Sequence, residues 1–284
     1  MTLLFVVVLE ADRRIVGSRR LGVGFFEVPI FVGRSTDTFL TNFFVVQAWG
    51  FHETLSWNYP AWFVSAEYFL YLVGPVLMLF VGGRFGGRAA ALGVASFVFL
   101  VALAETSGVG LDMTSRYGLW RGLADFGIGL ALGALFLACQ NKEVGGRPLP
   151  ASAHTLAQIG TLATVAAGLC LSGPARTPLD LVIAVPIFAL IFLLAFDKGL
   201  IARALHAPGL MKLGEWSFAI YMVHYIAMYF LPSFGLPERP WLTFIGGLAA
   251  SIAAGALAWR VVERPLGEAM RRRLLSAWGR VRAG

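Results

Sequence analysis

Charge is scarce in this chain. Of its 284 residues only 14% are Asp, Glu, Lys or Arg, against roughly one-quarter in soluble domains, which excludes an ordinary water-facing globule. Cysteine is scarcer: Cys139 and Cys170, the only two, lie far apart at or within apolar runs and give neither a disulfide framework nor a metal site. The four histidines include no pair spaced like HExxH, and there is no glycine-rich phosphate loop and no GxSxG elbow. A repeat of fixed period, a low-complexity tract and a separate soluble domain are also missing. These absences leave a single membrane-embedded domain over 1–284, with no metal and no bound cofactor expected.

What is present is apolar length. Hydrophobic residues make up 58% of the chain and the mean hydropathy is +0.74. Seven stretches approach the ~20 residues that cross a hydrocarbon core: Trp62–Gly82, Ala89–Ala104, Gly118–Ala138, Thr155–Ser172, Leu179–Phe196, Trp216–Phe234 and Trp241–Val262. Met1–Leu9 is too short to span and lacks the features of a signal peptide; it reads as the end of a span whose beginning is missing. The predicted fold is all-α, a polytopic membrane helix bundle of about seven full spans plus an N-terminal partial span, followed by a basic tail over 266–284.

The net charge of +7 raises the question of nucleic acid, but its distribution answers otherwise. Connections 82–88, 139–153 and 197–215 with the tail 260–284 hold fourteen Lys or Arg, and the alternate connections 105–117, 173–178 and 235–240 hold three. The positive-inside rule then puts the C-terminus, with Arg271, Arg272 and Arg273, in the cytoplasm and segment 10–61 outside. Arg13, Arg14, Arg19, Arg20 and Arg34 run against that assignment.

Ionisable groups inside apolar runs cost several kcal/mol unless paired or facing a wet cavity. Glu67 is the first. On a helix it shares a face with Tyr71 and Gly74, with Ser65 pointing the other way, and it either faces a polar cavity or pairs with an Arg elsewhere. Arg121 and Asp125 are one turn apart, so they form a local ion pair or leave Arg121 to hold an anionic group with its bidentate fork. Asp125, Gly129 and Gly133 lie on one stripe, where the glycines are expected to pack against a neighbouring helix. Ser217, Tyr221 and His224 make a polar stripe at i, i+4 and i+7, with His224 about 12 Å along the span that begins at Trp216. Glu263 and Arg264 sit where the last helix meets the cytoplasmic surface, and Pro265 is expected to help end it.

In order, these motifs resemble the acyltransferase 3 family of bacterial integral-membrane O-acyltransferases. Four stretches carry the resemblance, over roughly 38–270. NYPAWFVSAEYFLYLVGP is similar to the family's N-x-P-[AS]-W-S-L-S-x-E helix at Asn58, Pro60, Trp62, Ser65, Glu67, Tyr71 and Pro75. Arg121, Phe126 and Gly129 follow R-x4-F-x2-G. Gly214, Ser217, Phe218, Tyr221 and His224 follow G-x-x-S-[YF]-x-x-Y-x-x-H. Glu263, Arg264 and Pro265 close with E-[RK]-P. Phe63 departs from the pattern, replacing a Ser.

The resemblance implies transfer of an acyl group, most often acetyl, from cytoplasmic acyl-CoA to a hydroxyl of a cell-surface or lipid-linked glycan, in the bacterial inner membrane and among its lipids. It implies catalytic roles for His224, Glu67 and Arg121, and substrate contacts from Ser65, Trp62, Asn58, Tyr71, Ser217 and Tyr221. It also implies a first helix with an Arg followed by a catalytic His, and a second span with a glycine-containing FFxLSG stretch; neither motif is found, so the 284-residue chain alone is expected to be N-terminally incomplete and inactive. A transporter or flippase uses the same intramembrane residue types, though usually with inverted repeats that are not found here. A non-catalytic partner of a polysaccharide-export complex is the other alternative.

Overall fold

The computed structural model describes residues 35–82, 86–111, 113–114, 116–140, 149–171, 179–230 and 240–283. The stub Met1–Leu9 and the arginines at 13, 14, 19, 20 and 34 lie outside the described residues. Every regular element among the described residues is helical, and the chain divides into two compact units.

The larger unit takes Ser35–Leu55 and Ala61–Ala207. It opens with α1 (Thr36–Phe43), closed at its start by a reciprocal Ser35–Thr38 capping box. Then come α2 (Ala61–Val81), α3 (Gly87–Ser107), α4 (Gly118–Gln140), α5 (Ala151–Leu171), α6 (Leu179–Ala195) and the short α7 (Leu200–Leu205). The second unit takes Ser56–Pro60 and the residues from Pro208 on: α8 (Pro208–Phe230), α9 (Pro240–Ala258), a π turn over Trp259–Glu263, and α10 (Arg264–Ala283).

Four of the helices, α2 to α5, and the continuous run Trp241–Ser276 are long and apolar enough to cross a membrane, and Val182–Ala195 within α6 is a shorter apolar helix. Their outer faces carry side chains that water would not tolerate in a row: Leu79 is 80% exposed, Leu171 74% and Phe244 69%. Hydrocarbon covers such faces, and helices satisfy their own backbone groups there. The protein is a multi-pass membrane protein. The expected span Trp216–Phe234 falls in α8 as far as Phe230, and residues 231–234 lie outside the described residues. The second span, expected at Ala89–Ala104, is a full 21-residue helix.

Small residues set the helix spacing, as expected where lipid gives helices no hydrophobic reason to associate. A Cβ on Gly118 would stand 3.0 Å from the Trp62 ring, one on Gly122 3.5 Å from Ala66, and one on Gly74 3.1 Å from Phe126, so α2 and α4 meet through glycine on both sides. Between α3 and α4 the close points are Gly93 against Ala131 and Gly127 against Ser96. Beside them Leu100, Ala104, Met113, Ala124 and Ile128 form a buried core. The expectation that Gly129 and Gly133 pack is not met among the described residues: none places a heavy atom within 4 Å of either Cβ position. Gly118 and Gly122 face α2, and Gly127, about half a turn round the helix, faces α3; Gly129 and Gly133 continue the stripe of Gly118 and Gly122 further along α4, where no described residue comes close.

A second correction concerns Pro265. It does not end the helix; the chain continues helically to Ala283. The π turn explains this, because Pro265 stands in the first turn of the segment that follows it, where a missing N–H costs least.

Candidate functional site

Glu67 projects from the first half of α2 and accepts a hydrogen bond from the Tyr71 hydroxyl at 3.0 Å. The pair sits one turn apart on a face where Tyr71 is 69% exposed. Glu67 has no cationic partner among the described residues. Five residues earlier, Trp62 lies beneath the Arg121 guanidinium, whose carbon is 5.9 Å from the ring centroid. Arg121 is held three ways: by Trp62, by the C=O of Leu111 at 2.6 Å, and by Asp125 at 3.5 Å. The local pair with Asp125 exists, but the shorter bond goes to a backbone carbonyl. Arg121 and Glu67 therefore flank the close contact of α4 on α2 at Gly122 and Ala66, Arg121 fixed and Glu67 comparatively free.

Ser65 is fully buried. Its Oγ accepts the Ala48 N–H at 3.1 Å, and its C=O accepts the Trp49 indole N–H at 3.0 Å. Gln47 adds a donor to the C=O of Ala61 at 2.9 Å. Together these bonds clamp the turn 46–49 onto the start of α2, so Ser65 acts on the site by holding a loop. The clamp was not foreseen. The signal was present in the dense QAW triplet preceding the Asn–Pro motif, but amides and indoles in an aromatic stretch also suit a membrane interface.

His52 also gains neighbours. Its Nε2 and Thr41 Oγ1 are 2.8 Å apart, and its Nδ1 is 4.0 Å from Asp37. A hydrogen bond from the Ser35 hydroxyl holds the Asp37 carboxyl below its ordinary range. These contacts tie the end of the loop back to α1.

In the second unit, residues separated by most of the chain come together. Asn58 is buried, and its side-chain amide donates to the C=O of Met222 at 3.3 Å. Tyr59 stacks on Tyr225 with centroids 6.1 Å apart. The Asn–Pro motif is thus fastened on either side of His224. A carbonyl can only accept, so in the 2.5 Å contact between His224 Nδ1 and the C=O of Tyr221 the imidazole donates from Nδ1. The Tyr221 and His224 rings lie 5.6 Å apart, tilted by 37°. Ser217 is exposed one turn before Tyr221. Because α8 begins at Pro208, His224 lies sixteen residues, about 24 Å, from the helix start and eight residues from Trp216.

The sequence-predicted residues thus form two groups. Trp62, Ser65, Glu67, Tyr71 and Arg121 belong to the larger unit, and Asn58, Ser217, Tyr221 and His224 to the second. No cluster of three or more His, Cys, Asp or Glu residues able to hold a metal occurs among the described residues.

The spanning helices and the ionisable groups they carry define a multi-pass membrane protein. A family model described as an acyltransferase domain matches residues 21–260, most of the chain, and the protein belongs to this acyltransferase 3 family. No curated protein and no solved structure matches it.

Proposed function

We propose that the protein moves an acyl group, acetyl in the simplest case, from cytoplasmic acyl-CoA to a hydroxyl of a cell-surface or lipid-linked glycan, with its C-terminus in the cytoplasm of a bacterial inner membrane. The observation that carries this reading is His224: an imidazole with Nδ1–H held by a backbone carbonyl and no partner for Nε2 among the described residues, in a chain of this family. Nε2 removes the proton of the acceptor hydroxyl while the oxygen attacks the thioester carbonyl. The tetrahedral oxyanion then collapses, the C–S bond breaks, and the departing thiolate recovers the proton from the imidazolium. Arg121 supplies a fixed positive charge for an anionic part of donor or acceptor, and Glu67, hydrogen-bonded to Tyr71, orients the acceptor. Asn58, Ser217 and Tyr221 contact substrate beside His224 in the second unit; in the larger unit Trp62 does so beside Arg121, with Ser65 holding the loop at the start of α2.

The test is made with the gene product in its own host. Deleting the gene should remove an acyl mark from the surface glycan, wild-type complementation should restore it, and Glu67→Gln and His224→Gln should restore it poorly at equal membrane abundance. Acyl marks untouched by the deletion while glycan export falls would instead identify a transporter or flippase. Full restoration by the double variant would identify a non-catalytic partner of the export machinery.

A further inference from the structure

A cavity of about 550 Å³ opens between α8 and the α9–α10 junction, lined by Lys212, Trp216, Leu257, Trp259, Arg260 and Arg264 among others. Its wall is apolar apart from the cationic heads. Trp259 sits between two of them, with Lys212 Nζ 5.9 Å and Arg264 Cζ 5.6 Å from its ring centroid. This arrangement depends on the π turn. At 3.6 residues per turn, positions five apart diverge by about 140°, so Trp259 and Arg264 would face different directions on an α-helix. The Arg264 N–H bonds to the C=O of Trp259, the five-residue closure of a π turn, and this brings both onto one wall.

Three cations thus converge on one indole-floored space. Lys212 is paired with Glu215 at 2.7 Å and Arg264 with Glu268 at 3.0 Å. All four side chains are at least 44% exposed, and such pairs yield readily to a better partner. Arg260 has no carboxylate partner among the described residues. Glu263, in the same π turn, does not line the cavity. Guanidinium forks and an ammonium around an aromatic floor suit a phosphate, whose oxygens accept two parallel bonds from Arg and a point charge from Lys. Basic pockets between spanning helices recognise such headgroups.

We propose that this cavity is a phosphate-binding site. Its ligand is the phosphate of an amphiphile or nucleotide at the membrane surface, reached from the side where Arg264 emerges. Two sources share this chemistry: an anionic phospholipid headgroup and the nucleotide phosphates of an acyl-CoA. Only the second rests on the acyl-transfer reading.

The experiment uses the full chain in phosphatidylcholine nanodiscs, titrated separately with adenosine 3′,5′-bisphosphate and with short-chain phosphatidylglycerol. Saturable binding of at least one is expected, weakened tenfold or more in a Lys212→Gln, Arg260→Gln, Arg264→Gln variant. If that variant does not fold, Arg260→Gln alone, with no ion pair to lose among the described residues, should weaken binding at least threefold. Nucleotide binding that survives excess phosphatidylglycerol assigns the site to the donor, and lipid binding without nucleotide binding assigns it to the headgroup. The proposal is overturned if neither probe saturates, or if the variant binds as wild type does. Phosphate binding in a protein that transfers no acyl group would sink the acyl-transfer reading and leave the site standing.

Discussion

Arg121 and His224 are both polar groups in apolar helices, and they are tied down in opposite ways. Arg121 has an aromatic face, a carbonyl and a carboxylate, so its charge is compensated and its position fixed. His224 has one backbone bond, through Nδ1, and no partner for its other nitrogen among the described residues. A held charge suits electrostatic stabilisation, which needs donors in place before charge develops. A group with one free nitrogen suits proton transfer, which needs access to substrate. The two modes of bonding thus support the separate roles proposed for Arg121 and His224.

Substitutions can break or sharpen this contrast. The largest effect is expected from His224→Gln. It keeps a hydrogen-bonding side chain but removes the base, so acyl transfer should fall by about 10²–10⁴-fold, with membrane abundance and melting temperature near wild type. A parallel loss of folded protein would mean that His224 is structural. Next, Gly127→Leu should force α3 and α4 apart at Ser96, at a cost of about 1–3 kcal/mol or more, read as a lower midpoint in detergent unfolding. Gly129→Leu, with no described residue opposite it, should leave that midpoint almost unmoved.

Arg121→Lys keeps the charge but loses the fork. Removing a bond from a charged group costs about 1.5–3 kcal/mol, so the variant should be less stable as well as less active, whereas an Arg121 acting only by charge would tolerate Lys. The smallest effect is expected for Tyr71→Phe, which deletes one neutral donor to Glu67 worth about 0.5–1.5 kcal/mol. That corresponds to a several-fold change in transfer rate with little change in stability.

Helices were the legible part of the sequence, because span length and apolarity are local properties. The face shared by Glu67 and Tyr71 was legible for the same reason: four residues is one helical turn. The packing of α4 was not, since Gly118, Gly122, Gly129 and Gly133 share one stripe and differ only in what lies opposite them, while Gly127 meets α3 from another side. Nor was the clamp of Ala48 and Trp49 on Ser65, which joins positions more than a dozen residues apart. The π turn was hidden behind Pro265, which in isolation reads as a terminator. The stretch where the family's first-helix Arg and His would be sought, residues 1–34, lies outside the described residues.

The bond from Asn58 to Met222 spans 164 positions of chain. At roughly 5–20 residues per second of synthesis, the buried amide of Asn58 waits on the order of ten to thirty seconds before its acceptor exists. During that interval the Asn–Pro motif must stay in water or among headgroups, its polar atoms solvated, while the intervening helices enter the bilayer. Closure around His224 is thus one of the last events of biogenesis. A slowed or stalled ribosome anywhere between α2 and α8 would leave a chain that is inserted, mostly helical and not yet able to form its site.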